Sequence, residues 1–342
     1  MKVSTIGLDI AKNVFQVHGV DEAGALVVAR RLRRGQVLAF FAELAPCLVG
    51  LEACATAHYW ARELRRLGHE VRLLPPAYVK AYVKRNKHDA ADAAAICEAV
   101  GRPTMRFVSP KGEEEQSVLM LHKTRALLVR QRTMLANALR AHLAEFGFVA
   151  RQGREGLSKL LALAEAEESE ELAALARPGL RVLAAQWRAL DLEIRGLERA
   201  LKAWHLGNER SRRLAEIPGV GPLTASALVA SVGDAGVFSC GRDLAAWIGL
   251  VPRESSSGGK RRLGPISKQG NRYLRWLLVS GAMAVLRQGK RRGFRNRPWL
   301  ARLAAERPAK LAAVALANRT ARIAWVLMAR GERYRAPAPQ AA

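Results

Sequence analysis

The sequence predicts an α/β domain over residues 1–110, followed by a mainly α-helical remainder, and three observations carry that reading. Short apolar runs alternate with amphipathic stretches through the first hundred positions, the pattern of a sheet layered with helices. Further on, Leu121, Leu128 and Leu135 recur every seven residues, as do Met120, Leu127 and Met134, the spacing of a long helix that packs along a partner. Half of the 342 residues are apolar, enough for a substantial core and two or three domains.

The elements follow in chain order. "KVSTIGLDI" reads as a buried strand, and "NVFQVHGVD" and "ALVVARRLRR" as two more, joined across "EAG" by a hairpin turn. "GQVLAFFAELA" is helical, and "PCLVGLEAC" is an apolar strand ending in a glutamate. "TAHYWARELRRLG" is an amphipathic helix closed by Gly68, "HEVRLLPP" a strand stopped by two prolines, and "DAADAAAICEAVG" an alanine-rich helix ended by glycine. Three strands, then helix and strand in alternation, make a mixed sheet flanked by helices. Residues 111–205 form the helical, coiled-coil middle, with a second long run through "VLAAQWRALDLEIRGLERALKAW" and an acidic block, "EAEESEE", between the two. The pair either spaces two domains, or uses its basic edge, with Arg125 and Arg132, on nucleic acid or in dimerisation. Residues 206–332 open with "LAEIPGVGPLTASALVASVGD", where Gly219 and Gly221 flank a turn. Such a turn is either a plain packing corner or a helix-hairpin-helix-like one whose amides hold a DNA phosphate. The Pro/Ala-rich tail, 333–342, is expected to be disordered.

The formal net charge is +26, and it is uneven: residues 1–110 hold 16 Lys/Arg against 10 Asp/Glu, residues 251–335 hold 21 against 3. Such an excess calls for a polyanionic partner, with nucleic acid first. A membrane fits poorly, because no apolar run approaches the roughly 20 residues of a span. Cys47, Cys54, Cys97 and Cys240 form no zinc-type cluster and read as buried free thiols in a reducing cytosol. "MKVSTIGLDIAK" lacks an apolar signal core, so a cytoplasmic location is expected.

Acidic residues are scarce, which makes their placement informative. Asp9 ends the first strand, Glu52 ends the fourth, and Asp89 and Asp92 in "KHDAAD" share one face at the start of a helix. If the first and fourth strands are neighbours, the four carboxylates converge and need cations to offset their repulsion. Oxygen-only ligands favour Mg²⁺, with Mn²⁺ possible. Taken singly, each acid has a simpler use, such as Asp89 as a helix N-cap.

"GLDIAK", "GLEAC" and "KHDAADA", followed by "IPGVGPLTASALVA", "WIGLVPRESSSGGKRRLGPISKQGNRYLR" and "ALANRTARIAWVLM", resemble the DEDD transposases of bacterial insertion sequences, the IS110 group with its IS1111 branch. The blocks run from about residue 3 to about residue 330. The resemblance implies an RNase H-like (RuvC-like) amino-terminal domain, the coiled-coil middle and a carboxyl-terminal transposase domain. It also implies Asp9, Glu52, Asp89 and Asp92 as the metal-binding, catalytic set. Relatives often read "KTD" where this chain has "KHD", so His88 is expected beside the metal rather than on it. A serine nucleophile is implied as well, aligning to Ser257 with Ser256 as the fallback. The implied partners are donor and target DNA, a structured non-coding bridge RNA and further copies of the chain, as a dimer or tetramer.

Within "ESSSGGKRRLGPISKQGN" a serine hydroxyl needs activation, and the phosphodiester charge needs offsetting. Gly258 and Gly259 are expected to let amides approach a phosphate. Arg253, Lys260, Arg261, Arg262 and Lys268 are expected on phosphate oxygens, with Asn271, Arg272 and Arg275 on the nucleic-acid side of the following helix. Lys87 beside the acids and Arg291 and Arg292 in "RQGKRRGFRNRP" are further expected phosphate contacts. The acids and Ser257 are expected to act on one scissile phosphate. The simpler alternative is a flexible serine hinge in a basic loop, with hydrolysis by metal-activated water alone.

Overall fold

A computed structural model describes residues 2–83, 88–166, 172–260, 262–294 and 297–336. The chain divides into two compact units, one of residues 1–116, 232–244 and 328–330, the other of residues 117–231, 245–327 and 331–342. The helical middle and most of the carboxyl-terminal part therefore share one unit.

The first unit is built on a five-stranded sheet in the order β3-β2-β1-β4-β5. Its strands are β1 (Thr5–Ile10), β2 (Val14–Val20), β3 (Leu26–Arg33), β4 (Leu48–Glu52) and β5 (Glu70–Leu74). β1 to β3 are antiparallel, while β4 pairs parallel with β1 and β5 parallel with β4, so the sheet is mixed as the sequence predicts. The β2–β3 turn is held by the Asp21 carboxylate, which accepts from the amides of Ala23 and Ala25 at 3.0 and 2.9 Å. On one face of the sheet Ile6, Leu8, Val49 and Leu51 are fully buried, in a core shared with Phe41 of helix α1 (Val37–Ala42) and with Trp60 and Leu64 of α2 (Ala57–Arg66).

The other face is nearly bare of side chains at its centre. Gly7 and Gly50 are register partners across β1 and β4. A Cβ on Gly7 would lie 2.1 Å from the Ala93 carbonyl oxygen, and one on Gly50 would lie 2.8 Å from Val100 Cβ. Helix α4 (Asp89–Val100), which follows the short α3 (Pro76–Val79), therefore rests directly on strand backbone. Its small or apolar residues Ala93, Ile96, Cys97 and Val100 are buried. Because strand side chains alternate faces, Asp9 and Glu52 lie on this same face, two positions beyond the glycines.

The second unit is helical, apart from a β-hairpin. Helix α5 (Glu113–Glu145) and helix α7 (Arg177–Gly207), with α6 (Arg154–Glu165) between them, form the predicted long pair. Most of the acidic block predicted between them lies outside the described residues, as does all of the tail after Ala336. Leu139, Leu143, Leu160, Leu161, Leu180 and Ala184 make one buried cluster. The chain continues through α8 (Glu209–Ala215), α9 (Pro222–Val232), α10 (Gly241–Ile248), the hairpin strands β6 (Pro252–Glu254) and β7 (Leu263–Ile266), α11 (Arg272–Arg292), α12 (Pro298–Glu306) and α13 (Ala309–Arg330).

Two expectations need correction. Cys47 and Cys97 are buried, but Cys54 is exposed and Cys240 only half-buried, because Cys54 lies past the end of β4, where the buried strand pattern has stopped. And α13 is, by length and composition alone, long and apolar enough to cross a membrane, with a mean hydropathy of 1.3 over its most apolar window. One side of it packs inward, with Ala313, Ala317, Ala321 and Ala324 fully buried, while Leu311, Arg319 and Arg322 are exposed.

The trough beneath α4 predicts a sharp contrast between two glycines of the first unit. Gly7→Ala is expected to destabilise the protein by about 3 kcal/mol or more, since the added carbon meets main chain that has nowhere to go. Gly35→Ala, where nothing lies within 4 Å, should stay within about 0.5 kcal/mol of the parent. Denaturant melts of the two variants decide the matter; equal effects would remove the proposed seat.

Candidate active site and nucleic-acid interface

Asp9 stands opposite Gln16 of β2 and, on its other side, one residue past the Leu8–Leu51 pair that joins β1 to β4. Glu52 is the next residue on β4 and pairs across to Leu74 of β5. The two carboxylates thus sit side by side at the carboxyl ends of adjacent parallel strands, where open α/β sheets place their ligands. Asp89 and Asp92 occupy the first turn of α4. The N-cap is His88, not Asp89: its Nδ1 accepts from the Ala91 amide at 3.2 Å. This leaves Asp89 as the first helical residue and commits one His88 ring nitrogen to the helix start.

Asp9 feels the other three acids. The Asp9 carboxyl is pushed up from its ordinary 3.8 to about 6 by burial first, then by the charges of Asp92, Asp89 and Glu52, against a lowering hydrogen bond from the Ile10 amide. Among the described residues, no three His, Cys, Asp or Glu side chains stand close enough to hold a metal ion as they are placed. The donor set nevertheless fits a hard divalent cation: its four carboxylates are oxygen ligands only, and their mutual repulsion is what such a charge relieves.

The serine stretch is an antiparallel hairpin rather than a loop. Glu254 pairs with Leu263, and Ser257 bridges to Lys260, whose amide donates to the Ser257 carbonyl at 3.0 Å. Gly258 and Gly259 have φ of 55° and 75°, as a two-residue type I′ turn requires. Their first use is therefore conformational, and no heavy atom lies within 4 Å of where their Cβ atoms would be, so the tip is open. Ser256 donates its hydroxyl to the Glu254 carboxylate at 3.0 Å and accepts from the Arg262 amide at 3.4 Å. The sequence reading missed this serine–carboxylate pair, which forms just past the end of β6.

An isolated two-stranded hairpin is marginal, and this one is anchored at its base. A Cβ on Gly249 would lie 2.0 Å from the Gln269 carbonyl oxygen, and one on Gly270 1.8 Å from that of Trp247. Arg275 Nη1 donates to the carbonyls of Ile248 and Gln269 at 2.7 and 3.0 Å. Lys268 holds φ of 55° and donates its amide to Gly249.

Several residues expected on nucleic acid are thus committed within the fold. Arg275 ties the hairpin base, and Asn271 caps α11, its Oδ1 accepting from the amides of Tyr273 and Leu274 at 3.1 Å each. Arg125 pairs with Glu198 at 2.8 Å, and Arg132 pairs with Asp191, so both join α5 to α7. Gly219, with φ of 90°, packs against Gly281 of α11, while Gly221 has open space around it. Arg253 reaches the Ser267 carbonyl at 3.3 Å. Lys260, Arg262, Lys268, Arg272, Arg291 and Arg292 are exposed. Lys87 and Arg261 lie outside the described residues.

A mixed sheet with acids at the ends of two neighbouring parallel strands and on the first turn of a helix laid across them is the layout of an RNase H-like nucleic-acid enzyme. Residues 6–148 match a DEDD transposase family of the IS110 type, and residues 211–297 match the transposase IS116/IS110/IS902 family. The chain is 51% identical over 336 residues to a "Probable family 20 transposase" of Pseudomonas aeruginosa, covering 98% of this chain and 99% of the relative. It is 43% identical to the transposase for insertion sequence element IS1111A of Coxiella burnetii, covering 97% and 92% of the two chains. With the transposase for element IS1328 of Yersinia enterocolitica the identity is 39%, over 96% and 98%. The chain belongs to the IS110 family of insertion-sequence transposases, and is therefore an enzyme that acts on DNA.

Burial and the neighbouring acids of Asp9 together set a pH dependence. A carboxyl raised in the folded state stabilises below its unfolded value near 3.8, and that stability is lost as pH rises through about 6. Asp9→Asn, melted in EDTA, should match the parent at pH 4 and exceed it at pH 7, the gap opening between those values. At a half-exposed site solvent screening holds the gain to about 1 kcal/mol. A gap independent of pH would show that the fold does not raise the Asp9 carboxyl.

Proposed function

We propose that this transposase cuts and rejoins DNA by transesterification through a serine, aided by a divalent cation and guided by a structured RNA of its own element. The acidic cluster carries the reading most directly, because burial and the charges of Asp92, Asp89 and Glu52 raise Asp9 to about 6, a cost that a shared cation would offset. Asp9, Glu52, Asp89 and Asp92 would hold Mg²⁺ or Mn²⁺. When bound, the ion offsets the charge of the scissile phosphate and of the departing oxygen.

The Ser257 hydroxyl attacks the phosphorus of a DNA phosphodiester. Its oxygen forms the new P–O bond, the bond to a deoxyribose oxygen breaks, and that oxygen leaves with a proton. The serine ester keeps the phosphodiester bond energy, so a hydroxyl of another strand reverses the step and seals the exchange. The open hairpin tip, with Lys260 and Arg262 exposed beside it, suits approach by a phosphate backbone. Ser256 is a second reading, favoured by its bond to the Glu254 carboxylate, an acceptor able to take the hydroxyl proton. Arg272, Arg291 and Arg292 position the nucleic acid without reading its sequence. Several copies act together, since joining two DNAs takes several cuts, and the work is done where chromosomal DNA resides.

Incubating the protein with its element's DNA, Mg²⁺ and the transcribed flanking RNA should yield a covalent adduct on a denaturing gel. Ser257→Ala should abolish it, while Ser256→Ala and Glu254→Gln should weaken it. If Ser256→Ala alone abolishes the adduct, the second reading holds; cleavage at parental rate by both serine variants means hydrolysis by water. Glu52→Gln should lower adduct formation at least about a hundredfold. Separately, replacing Arg291 and Arg292 together by alanine should flatten the salt dependence of DNA affinity by about one to two units of log–log slope; an unchanged slope would remove them from the interface.

A further inference from the structure

In the second unit, α12, α13, the turn after α8 and the segment following α13 enclose a cavity of about 490 Å³, within the roughly 300–1,000 Å³ of pockets that enclose small ligands. Its floor is apolar, with Leu300, Leu316 and Ile323 among the lining residues, and Trp299 and Tyr334 add two aromatic rings. Four cations, Arg297, Arg319, Arg333 and Arg335, line it against one acid, Glu332. The Arg319 guanidinium sits 5.0 Å from the Trp299 ring centroid, which keeps a flat cation and an aromatic together at the wall.

The covering segment is tied in place. The Tyr334 amide donates to Glu216 Oε2 at 3.1 Å, and Arg333 pairs with the same carboxylate at 4.0 Å. Arg213 donates to the Gly331 carbonyl. The cavity is thus a built feature, with its second ring and two of its cations supplied by a strap.

We infer that this cavity binds one unpaired nucleotide of a single-stranded nucleic acid, its base against Trp299 or Tyr334 and its phosphate on the arginines. An apolar floor with aromatic rings suits a base face, and the excess of arginine over acid, even with Arg333 paired to Glu216, suits the phosphate. Neither group explains the other's presence: an apolar peptide needs no arginines, and a phosphate alone needs no apolar floor. A base paired in a duplex cannot enter. None of the acids and serines assigned above lines the cavity, and its test does not require strand cleavage, so its failure and that of the serine mechanism are distinguishable.

The test is photocross-linking in the Ser257→Ala background, using a single-stranded DNA hexamer and an RNA hexamer of the same sequence, each with one 5-iodo-uracil base, and the DNA hexamer in duplex form. Mapped by mass spectrometry, cross-links should fall on Trp299 or Tyr334 with the single strands and vanish with the duplex. The stronger of the two single strands identifies the source. Arg319→Glu and Trp299→Ala should each cut yield and affinity about tenfold, while Arg322→Glu, an exposed cation on the same helix that does not line the cavity, should change them less than twofold. Cross-links confined to other residues, equal yield with the duplex, or equal losses from Arg319→Glu and Arg322→Glu would overturn the assignment. So would cross-linking seen only in a chain shortened to end at Ala336, which would mean that the terminus itself fills the cavity.

Discussion

The contact on which the first unit depends is helix against bare strand backbone. With Gly7 and Gly50 paired across β1 and β4, α4 approaches the sheet by main chain and small side chains rather than over a layer of large ones. That short distance has an electrostatic result. The first turn of α4 comes within reach of the ends of the two strands, so Asp89 and Asp92 act on Asp9 together with Glu52. A wider separation would leave the same acids in the sequence and lose their convergence, because Coulomb repulsion in a partly desolvated site weakens with distance and with water between.

The second unit uses the same device at its own critical point. Gly249 and Gly270 let two turns meet at van der Waals distance, and Gly219 meets Gly281 where the α8–α9 turn touches α11. At the hairpin this produces a division of labour along a short stretch of chain. The base is fixed by glycine contacts, by Arg275 and by the Asn271 cap. The tip, with its two left-handed glycines, is bounded by open space. A serine there is positioned by the anchoring below it rather than by packing around it.

Much of this was legible in the chain. The strands themselves, and Asp9 and Glu52 at the ends of two of them, follow from apolar runs that stop at an acid, whereas the sheet order and the pairing of β1 with β4 come from the fold. The long helices follow from repeats of seven. What the residues could not announce is which polar groups the fold consumes. Arg125 and Arg132 read as free cations, because partners at Glu198 and Asp191 lie on another helix. Asn271 and Arg275 read as ligands for DNA, because hydrogen bonds to backbone leave no mark in composition. His88 is an unusual cap, and Gly7 and Gly50 are single letters inside apolar strands, meaningful only once β1 and β4 are known to be in register.

The two halves of that glycine pair are not equivalent to a lineage accumulating mutations. At Gly50 the nearest obstacles are side-chain atoms, Val100 Cβ first and then methyl carbons of Val100 and Ile96, so replacing Val100 by glycine at the end of the helix removes the closest of them and makes room for a compensating change at Gly50. At Gly7 the nearest obstacles are the Ala93 carbonyl oxygen and the Cys97 amide nitrogen, which no substitution on α4 can shorten. One strand position is therefore open to compensated drift, while its partner across the sheet is held to a single residue for as long as the helix lies where it does.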